Sequence, residues 1–252
     1  MLVLDIGNRN IKAAVIVGGE VRWSGSAPDT DLLVPELERI ADPGAVAACS
    51  VRPREDGPLA DAIRRLFGLE VAFLGRDLPA GIPVVCEEPE KVGADRLANS
   101  IAAFRRARGP VIVVDAGTAI AFDVISDKGE FLGGAIAPGL GTSLDALHER
   151  TALLPRVGIG SPQGAFGRNT VDAILAGVVG GLPGLIDRVI EGIQAELPWR
   201  CTVYGTGGDI RWLAPRCRTV GEVVPTLTLE GVYLAWESAA NPKAQPADQP
   251  LP

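Results

Sequence analysis

An α/β fold made of two related halves is what this sequence predicts, on three observations. One short phrase is written twice: Leu2-Val3-Leu4-Asp5-Ile6-Gly7-Asn8 and Val113-Val114-Asp115-Ala116-Gly117-Thr118. Each runs an apolar strand into a carboxylate and a glycine turn, and each leads into a second apolar run, Ile11 to Val17 and Ala119 to Ile125. After each hairpin the pattern changes to strands alternating with helical spacing. Finally, Cys201 to Gly208 ends a third strand in glycines, and Asp209 to Leu213 is placed to open a short helix, a common seat for a nucleotide.

Taken in order, Gly18-Gly19 makes the second turn of the first hairpin and Val21 to Trp23 a third strand. The spacing of Leu32, Leu33, Leu37 and Ile40 predicts a helix over 31–40. Ala45 to Ser50 reads as a buried strand, Leu59 to Phe67 as a helix and Val71 to Leu74 as a strand. Hairpin strands giving way to β/α alternation fit a ribonuclease H-like half. Leu97, Ile101 and Phe104 recur at helical spacing and predict a long helix from Val92 to Arg108, stopped by Gly109-Pro110. The second half repeats the plan with strands at 111–115, 118–125 and 131–137, then helices near 141–150 and 170–195. Leu227 to Trp236 is the last helix. The expected division is an N-terminal lobe over 1–109, a C-terminal lobe over 110–238, and a disordered tail over 239–252. That tail is rich in proline, alanine, glutamine and asparagine and has too little apolar surface to offset its ordering entropy.

Composition narrows the function. A chain of 252 residues with 47% hydrophobic content can build real cores. Its net charge of −7 opposes broad attraction to nucleic acid or to an anionic membrane, so any phosphate must be held locally. Cys49, Cys86, Cys201 and Cys217 form no C-x-x-C pair, which argues against zinc and for reduced thiols. Met1 leads straight into the first strand, and no stretch approaches about 18 uninterrupted apolar residues. A cytoplasmic protein without nucleic-acid or membrane partners is expected.

Glycine lets a backbone turn sharply and present N–H groups to a phosphate. Asp5-x-Gly7-Asn8 alone is an ordinary turn, but its echo at Asp115-x-Gly117-Thr118 changes its weight. Two strand-terminal carboxylates facing a shared cleft can hold a divalent cation while the loops donate N–H groups to phosphates. Lys12 has two readings, a phosphate contact or a strand lysine facing water. Gly93-Ala94-Asp95-Arg96 also has two: helix-start chemistry, or Asp95 as general base with Arg96 clamping a polar substrate tail. Gly133 to Leu140 is small enough for close backbone packing. Asn169-Thr170 suits a helix cap, and its hydroxyl can also touch substrate. His148 reads as a surface residue, Arg105, Arg106 and Arg108 as a solvated face, and the four tryptophans as too scattered for a stacking platform.

Together these residues resemble the type III pantothenate kinases of the acetate and sugar kinase/Hsc70/actin superfamily. The likeness covers residues 1 to about 237. It rests on Asp5-Ile-Gly-Asn, Gly93-Ala-Asp-Arg-Leu-Ala-Asn, Asp115-Ala-Gly-Thr-Ala, Gly133-Gly-Ala-Ile-Ala-Pro-Gly-Leu, Thr151-Ala-Leu-Leu-Pro, Asn169-Thr170, Thr206-Gly-Gly and Pro225-Thr-Leu-Thr-Leu-Glu-Gly. The resemblance implies two ribonuclease H-like lobes with a cleft between them. It also implies ATP-dependent phosphorylation of pantothenate to 4'-phosphopantothenate, the first step of coenzyme A biosynthesis.

By the same matching Asp95 is the catalytic base, and Gly93, Ala94, Asp95, Arg96 and Thr170 contact pantothenate. ATP is contacted by Asp5, Ile6, Gly7, Asn8, Arg9, Asn10, Ile11, Lys12, Thr118, Gly207 and Gly208. Asp115 binds a monovalent cation, K+ or NH4+. Asp5 is the second metal residue, Mg2+ accompanies ATP, and the protein is a homodimer. Three departures from the family pattern stand out: Arg9 where a threonine is usual, Ile120-Ala121 in place of threonines, and Cys86 near the place of a tyrosine. They motivate a runner-up reading, a kinase-like binding or regulatory protein with impaired catalysis. A phosphohydrolase of the same superfamily is a third reading, against which Gly93-Ala-Asp-Arg argues.

Overall fold

The computed structural model describes residues 1–241. The chain divides into two compact units, Met1–Arg105 with the segment from Thr226 onward, and Arg106–Pro225. The final helix therefore belongs to the first unit, whereas the sequence reading put it in the second half. Of the tail expected at 239–252, residues 239 and 240 end that helix and 242–252 lie outside the described residues.

The first unit is a five-stranded sheet in the order β3-β2-β1-β4-β5. β1 (Leu2–Ile6), β2 (Ile11–Val17) and β3 (Glu20–Ala27) form an antiparallel meander, and β4 (Val46–Ser50) and β5 (Val71–Phe73) run parallel to β1. Every residue of β1 is buried because both faces of the sheet are covered. Leu2, Leu4 and Ile6 pack with Leu33 and Leu37 of α1 (Thr30–Leu37) and with Leu59 and Ile63 of α2 (Pro53–Phe67). Val3, Ala47 and Cys49 pack on the other face with Leu97 and Ala98 of α3 (Ala94–Ala107) and with Leu229, Val232 and Ala235 of α7 (Leu227–Ala240).

α7 and α3 approach closely. A Cβ at Gly231 would overlap the Ala98 carbonyl, and Thr228 Oγ1 donates to Asn99 Oδ1 at 2.8 Å. α3 ends at Ala107, and Arg108 after it takes φ +52°, the left-handed turn that precedes Gly109-Pro110. α2 begins six residues before the expected Leu59. Pro53 supplies a preset φ at its first position, and Gly57-Pro58 lie inside it.

The second unit repeats the plan in the order β10-β9-β6-β7-β8. β6 (Val111–Ala116), β7 (Ala119–Ile125) and β8 (Phe131–Pro138) are antiparallel, and β9 (Thr202–Thr206) is parallel to β6. The two-residue edge strand β10 (Glu222–Val223) had no sequence signal. Its helices are α4 (Leu140–Glu149), α5 (Thr170–Glu196) and the one-turn α6 (Ile210–Leu213). α5 is long and apolar enough to cross a membrane by length and composition. Its Ile174, Val179, Leu182, Ile186 and Ile190 instead fill the core of this unit.

Candidate active site

Period-two alternation along β1 points Asp5 to the Val3 face, among apolar neighbours, and leaves it 6% exposed. Register supplies its partners. Lys12, opposite it on β2, brings Nζ to 3.4 Å from Asp5 Oδ2. Cys49, opposite it on β4, donates its thiol to Asp5 Oδ1 at 3.7 Å. Burial raises the pKa of Asp5, and Lys12 and the Cys49 thiol act against that shift. The Cys49 thiol is itself pushed well up by burial and by the charges of Asp5 and Asp95, so it remains a donor.

Asp95 opens α3, and its Oδ1 accepts the N–H of Arg96 at 2.8 Å. Gly93 makes room for that carboxylate, since a Cβ there would stand 2.5 Å from Asp95 Oδ1 and 3.5 Å from Val51 Cγ1. The Gly-x-Asp spacing thus has a steric cause. Burial, and after it the charge of Asp5, raise the Asp95 pKa, while the Arg96 N–H and guanidinium oppose the rise. The sheet and α3 therefore bring Asp5, Lys12, Cys49 and Asp95 into one electrostatic cluster. A carboxylate with raised proton affinity, still partly accessible, suits proton abstraction from an alcohol.

In the second unit Asp115 occupies the matching position at the end of β6, with the backbone of Gly207 close beside its carboxylate. Gly207 takes φ +94°, and a Cβ on it would collide with the Ala116 carbonyl and with Asp115 Oδ1. The Asp209 N–H donates to the same Ala116 carbonyl at 2.9 Å. The Thr118 carbonyl accepts from the Gly139 N–H at 3.0 Å and from Thr142 Oγ1 at 2.6 Å. Gly139 can approach so closely only without a side chain, which is the close packing expected of Gly133 to Leu140. Thr206, in register with Asp115, carries a buried Oγ1 without a hydrogen-bond partner. Oxygen donors around a cradle that a Cβ would fill fit a hard monovalent cation at Asp115. Among the described residues no group of three or more His, Cys, Asp or Glu could hold a metal. A magnesium ion needs only one or two carboxylates together with substrate phosphates, which Asp5 fits.

The remaining expected residues are distributed unevenly. Ile6 and Ile11 are fully buried core side chains, so only their backbone groups can face a nucleotide. Asn8, Arg9 and Asn10 are exposed on the turn, which the Gly7 N–H closes onto the Asn10 carbonyl at 3.1 Å. Lys12 is engaged with Asp5. Asn169 caps α5 by accepting the Asp172 N–H at 2.9 Å, and Thr170 behind it is exposed. Gly208 has open space where a Cβ would go. Ile120 packs fully buried in the core of its unit, so its lack of a hydroxyl reflects packing, while Ala121 lies opposite Asp115. His148 Nδ1 donates to the Leu154 carbonyl at 2.9 Å. Sequence reasoning missed Cys49 and Thr142, and it quoted Thr206 only as part of Thr206-Gly-Gly, with no role. Only strand parity could have flagged Cys49, and only once the β1/β4 register is known.

A family model described as type III pantothenate kinase matches residues 1–192. A type III pantothenate kinase from Moorella thermoacetica is 36% identical over 250 residues, spanning 94% of this chain and 98% of the relative. One from Geobacter sulfurreducens is 38% identical over 254 residues with the same coverage. One from Acidobacterium capsulatum is 45% identical over 193 residues, spanning 77% of this chain and 71% of the relative. Among solved structures, a Campylobacter jejuni protein named as a Baf family transcriptional activator aligns with TM-score 0.63 at 22% identity over 96% of this chain and 100% of that one. A Sinorhizobium meliloti protein named as a 2-dehydro-3-deoxygalactonokinase aligns with TM-score 0.60 at 14% identity over 99% of this chain and 98% of that one. At these identities the two structures speak for the fold alone.

Proposed function

The chain belongs to the type III pantothenate kinase family and phosphorylates pantothenate in coenzyme A biosynthesis, and on that premise we propose how its residues divide the work. Asp95 is the general base for the terminal hydroxyl of pantothenate. The observation that carries this is its place at the start of α3, beside Gly93 and within electrostatic reach of Asp5, with a proton affinity raised by burial. Arg96 clamps the acidic end of the substrate, and Gly93, Ala94 and Thr170 complete the pantothenate contacts.

The residues from Asp5 to Lys12, with Thr118, Gly207 and Gly208, serve ATP. Within that set the backbone N–H groups of the glycine turns face phosphate, and Lys12 acts through Asp5. Mg2+ beside Asp5 and a monovalent cation, K+ or NH4+, beside Asp115 supply positive charge to the phosphates when bound. Phosphoryl transfer depends on alignment of the γ-phosphoryl with the hydroxyl, so most of the protein's work is positioning. Asp95 takes the hydroxyl proton onto a carboxylate oxygen as the new O–P bond forms.

We further place the enzyme in the cytoplasm as a homodimer. Its four cysteines are all free thiols, which supports a reducing compartment. Exposed apolar side chains of the second unit, Ile136 at 67%, Leu153 at 93% and Phe166 at 73%, support a subunit interface there, which light scattering checks. The deciding experiment incubates purified protein with pantothenate, ATP and Mg2+, with and without K+. Phosphopantothenate formation enhanced by K+ is expected. Absence of product under both conditions overturns the reading in favour of the kinase-like binding protein that Arg9 suggests.

A further inference from the structure

Arg52 carries an unmet binding capacity. It follows β4 and caps α2 without a side-chain cap bond, its N–H donates to Ser50 Oγ at 3.2 Å, and its residue is only 9% exposed. Its side chain sends Nη1 to the Pro28 carbonyl at 2.9 Å. Pro28 follows β3, and β1 and β2 lie between β3 and β4 in the sheet. Ile6 is in register with Ser50 and with Ile11, and Ile11 with Ala27, so Pro28 and Arg52 both leave the sheet at the end that carries the Gly7 to Asn10 turn. Nε and Nη2 are buried there and have no hydrogen-bond partner.

Those two nitrogens form the edge of a guanidinium that matches two oxygens of a carboxylate or phosphate. Arg64 in the same unit uses that edge conventionally, holding both oxygens of Glu70 at 2.8 and 2.7 Å. The acids nearest Arg52 in sequence are committed elsewhere. Glu55 accepts from Thr30, and Asp56 accepts from Ser50 and Arg76. A buried charged fork with unmet donors is costly in free energy and calls for a partner.

We propose that Arg52 is a phosphate-binding residue, its Nε and Nη2 taking two oxygens of the β- or γ-phosphate of the donor nucleotide at the Gly7 to Asn10 turn. The identity of the phosphate rests on the kinase reading, whereas the fork and its position do not. Sequence spacing gave no hint of this role, because only the sheet order brings the segment after β4 to the end of the sheet that carries the turn.

The test is calorimetric binding of ATP, AMP, pantothenate and phosphopantothenate to the full chain and to its Arg52→Met and Arg52→Lys variants, with folding followed by circular dichroism. ATP binding to Arg52→Met should weaken by about tenfold to a hundredfold, with Arg52→Lys in between because an ammonium keeps the charge but loses the fork. AMP and pantothenate should bind all three alike. ATP affinity unchanged in Arg52→Met overturns the proposal, as does equal loss of AMP binding, or loss seen with phosphopantothenate and not with ATP. Unfolding of both variants in the absence of ligand also overturns it, since it makes Arg52 a purely structural residue. If ATP binds in an Arg52-dependent way and no phosphopantothenate forms, the kinase reading fails and this one stands. Turnover with full ATP affinity in Arg52→Met gives the reverse.

Discussion

The turns after β1 and β6 share a sequence pattern and a place in the sheet, yet they surround their carboxylates differently. Asp5 is held by side chains, Lys12 and Cys49, that neighbouring strands deliver. Asp115 has the backbone of Gly207 beside it, where a Cβ would collide with its carboxylate and with the Ala116 carbonyl. A duplicated fold can thus keep its strand order while one copy tunes proton affinity and the other shapes an oxygen-lined cradle. Tuning by side chains tolerates substitution with a graded loss. A backbone cradle fails by collision.

The comparison can be broken most sharply on the side of the first unit, where Asp95→Asn should lower kcat by about a hundredfold to ten-thousandfold without unfolding the protein. A smaller loss of phosphopantothenate formation would remove Asp95 from the proton transfer. Next come the two glycines that stand beside carboxylates. Gly207→Ala forces a Cβ into backbone at φ +94° and should lower stability by about 2 kcal/mol or more in urea denaturation. Gly93→Ala meets mainly the end of the Asp95 side chain. It should lose less than about 1 kcal/mol of stability but about tenfold in kcat as that carboxylate is displaced. Equal stability losses would erase the distinction between a carboxylate crowded by a movable side-chain end and one crowded by backbone.

The mildest effect concerns Lys12→Met, which leaves Asp5 buried without its nearest cation. A carboxylate whose folded pKa lies above its unfolded value of about 3.9 costs stability as pH rises through that value, and the full cost stands above the folded pKa. Removing Lys12 raises the folded pKa further. Lys12→Met should therefore be about 1 kcal/mol less stable than the parent near neutral pH, and the gap should close on acidification below the carboxylate range. Asp5→Asn should behave oppositely, gaining stability at neutral pH and losing the gain in acid. Denaturation curves at the two pH values check both.

Much of this was legible in the chain because local signals agree with each other. Apolar runs ending in Asp and Gly located β1 and β6, and the Leu97, Ile101 and Phe104 spacing located α3. What stayed hidden depends on pairing across the sheet or on packing between distant segments. Cys49 reaches Asp5 only through the β1/β4 register, and Gly139 reaches Thr118 only after β8 has returned alongside β7. The start of α2 was obscured because Gly57 and Pro58 are weak helix formers in isolation, whereas the buried Asp56, Leu59 and Ile63 face holds them helical. The membership of α7 was misjudged since nothing local to Leu227–Ala240 reports which sheet it will cover.

That last feature has a bearing on how the chain acquires its structure during synthesis. Residues Arg106–Pro225 form one uninterrupted stretch and can settle as soon as they leave the ribosome. The earlier-made portion has no such freedom, for Ala98 and Val3 lack their covering helix until Leu227–Ala240 has been made. The part translated first is thus the part completed last, and a transcript cut short before Thr226 would yield a stable later half attached to an uncovered, aggregation-prone earlier one.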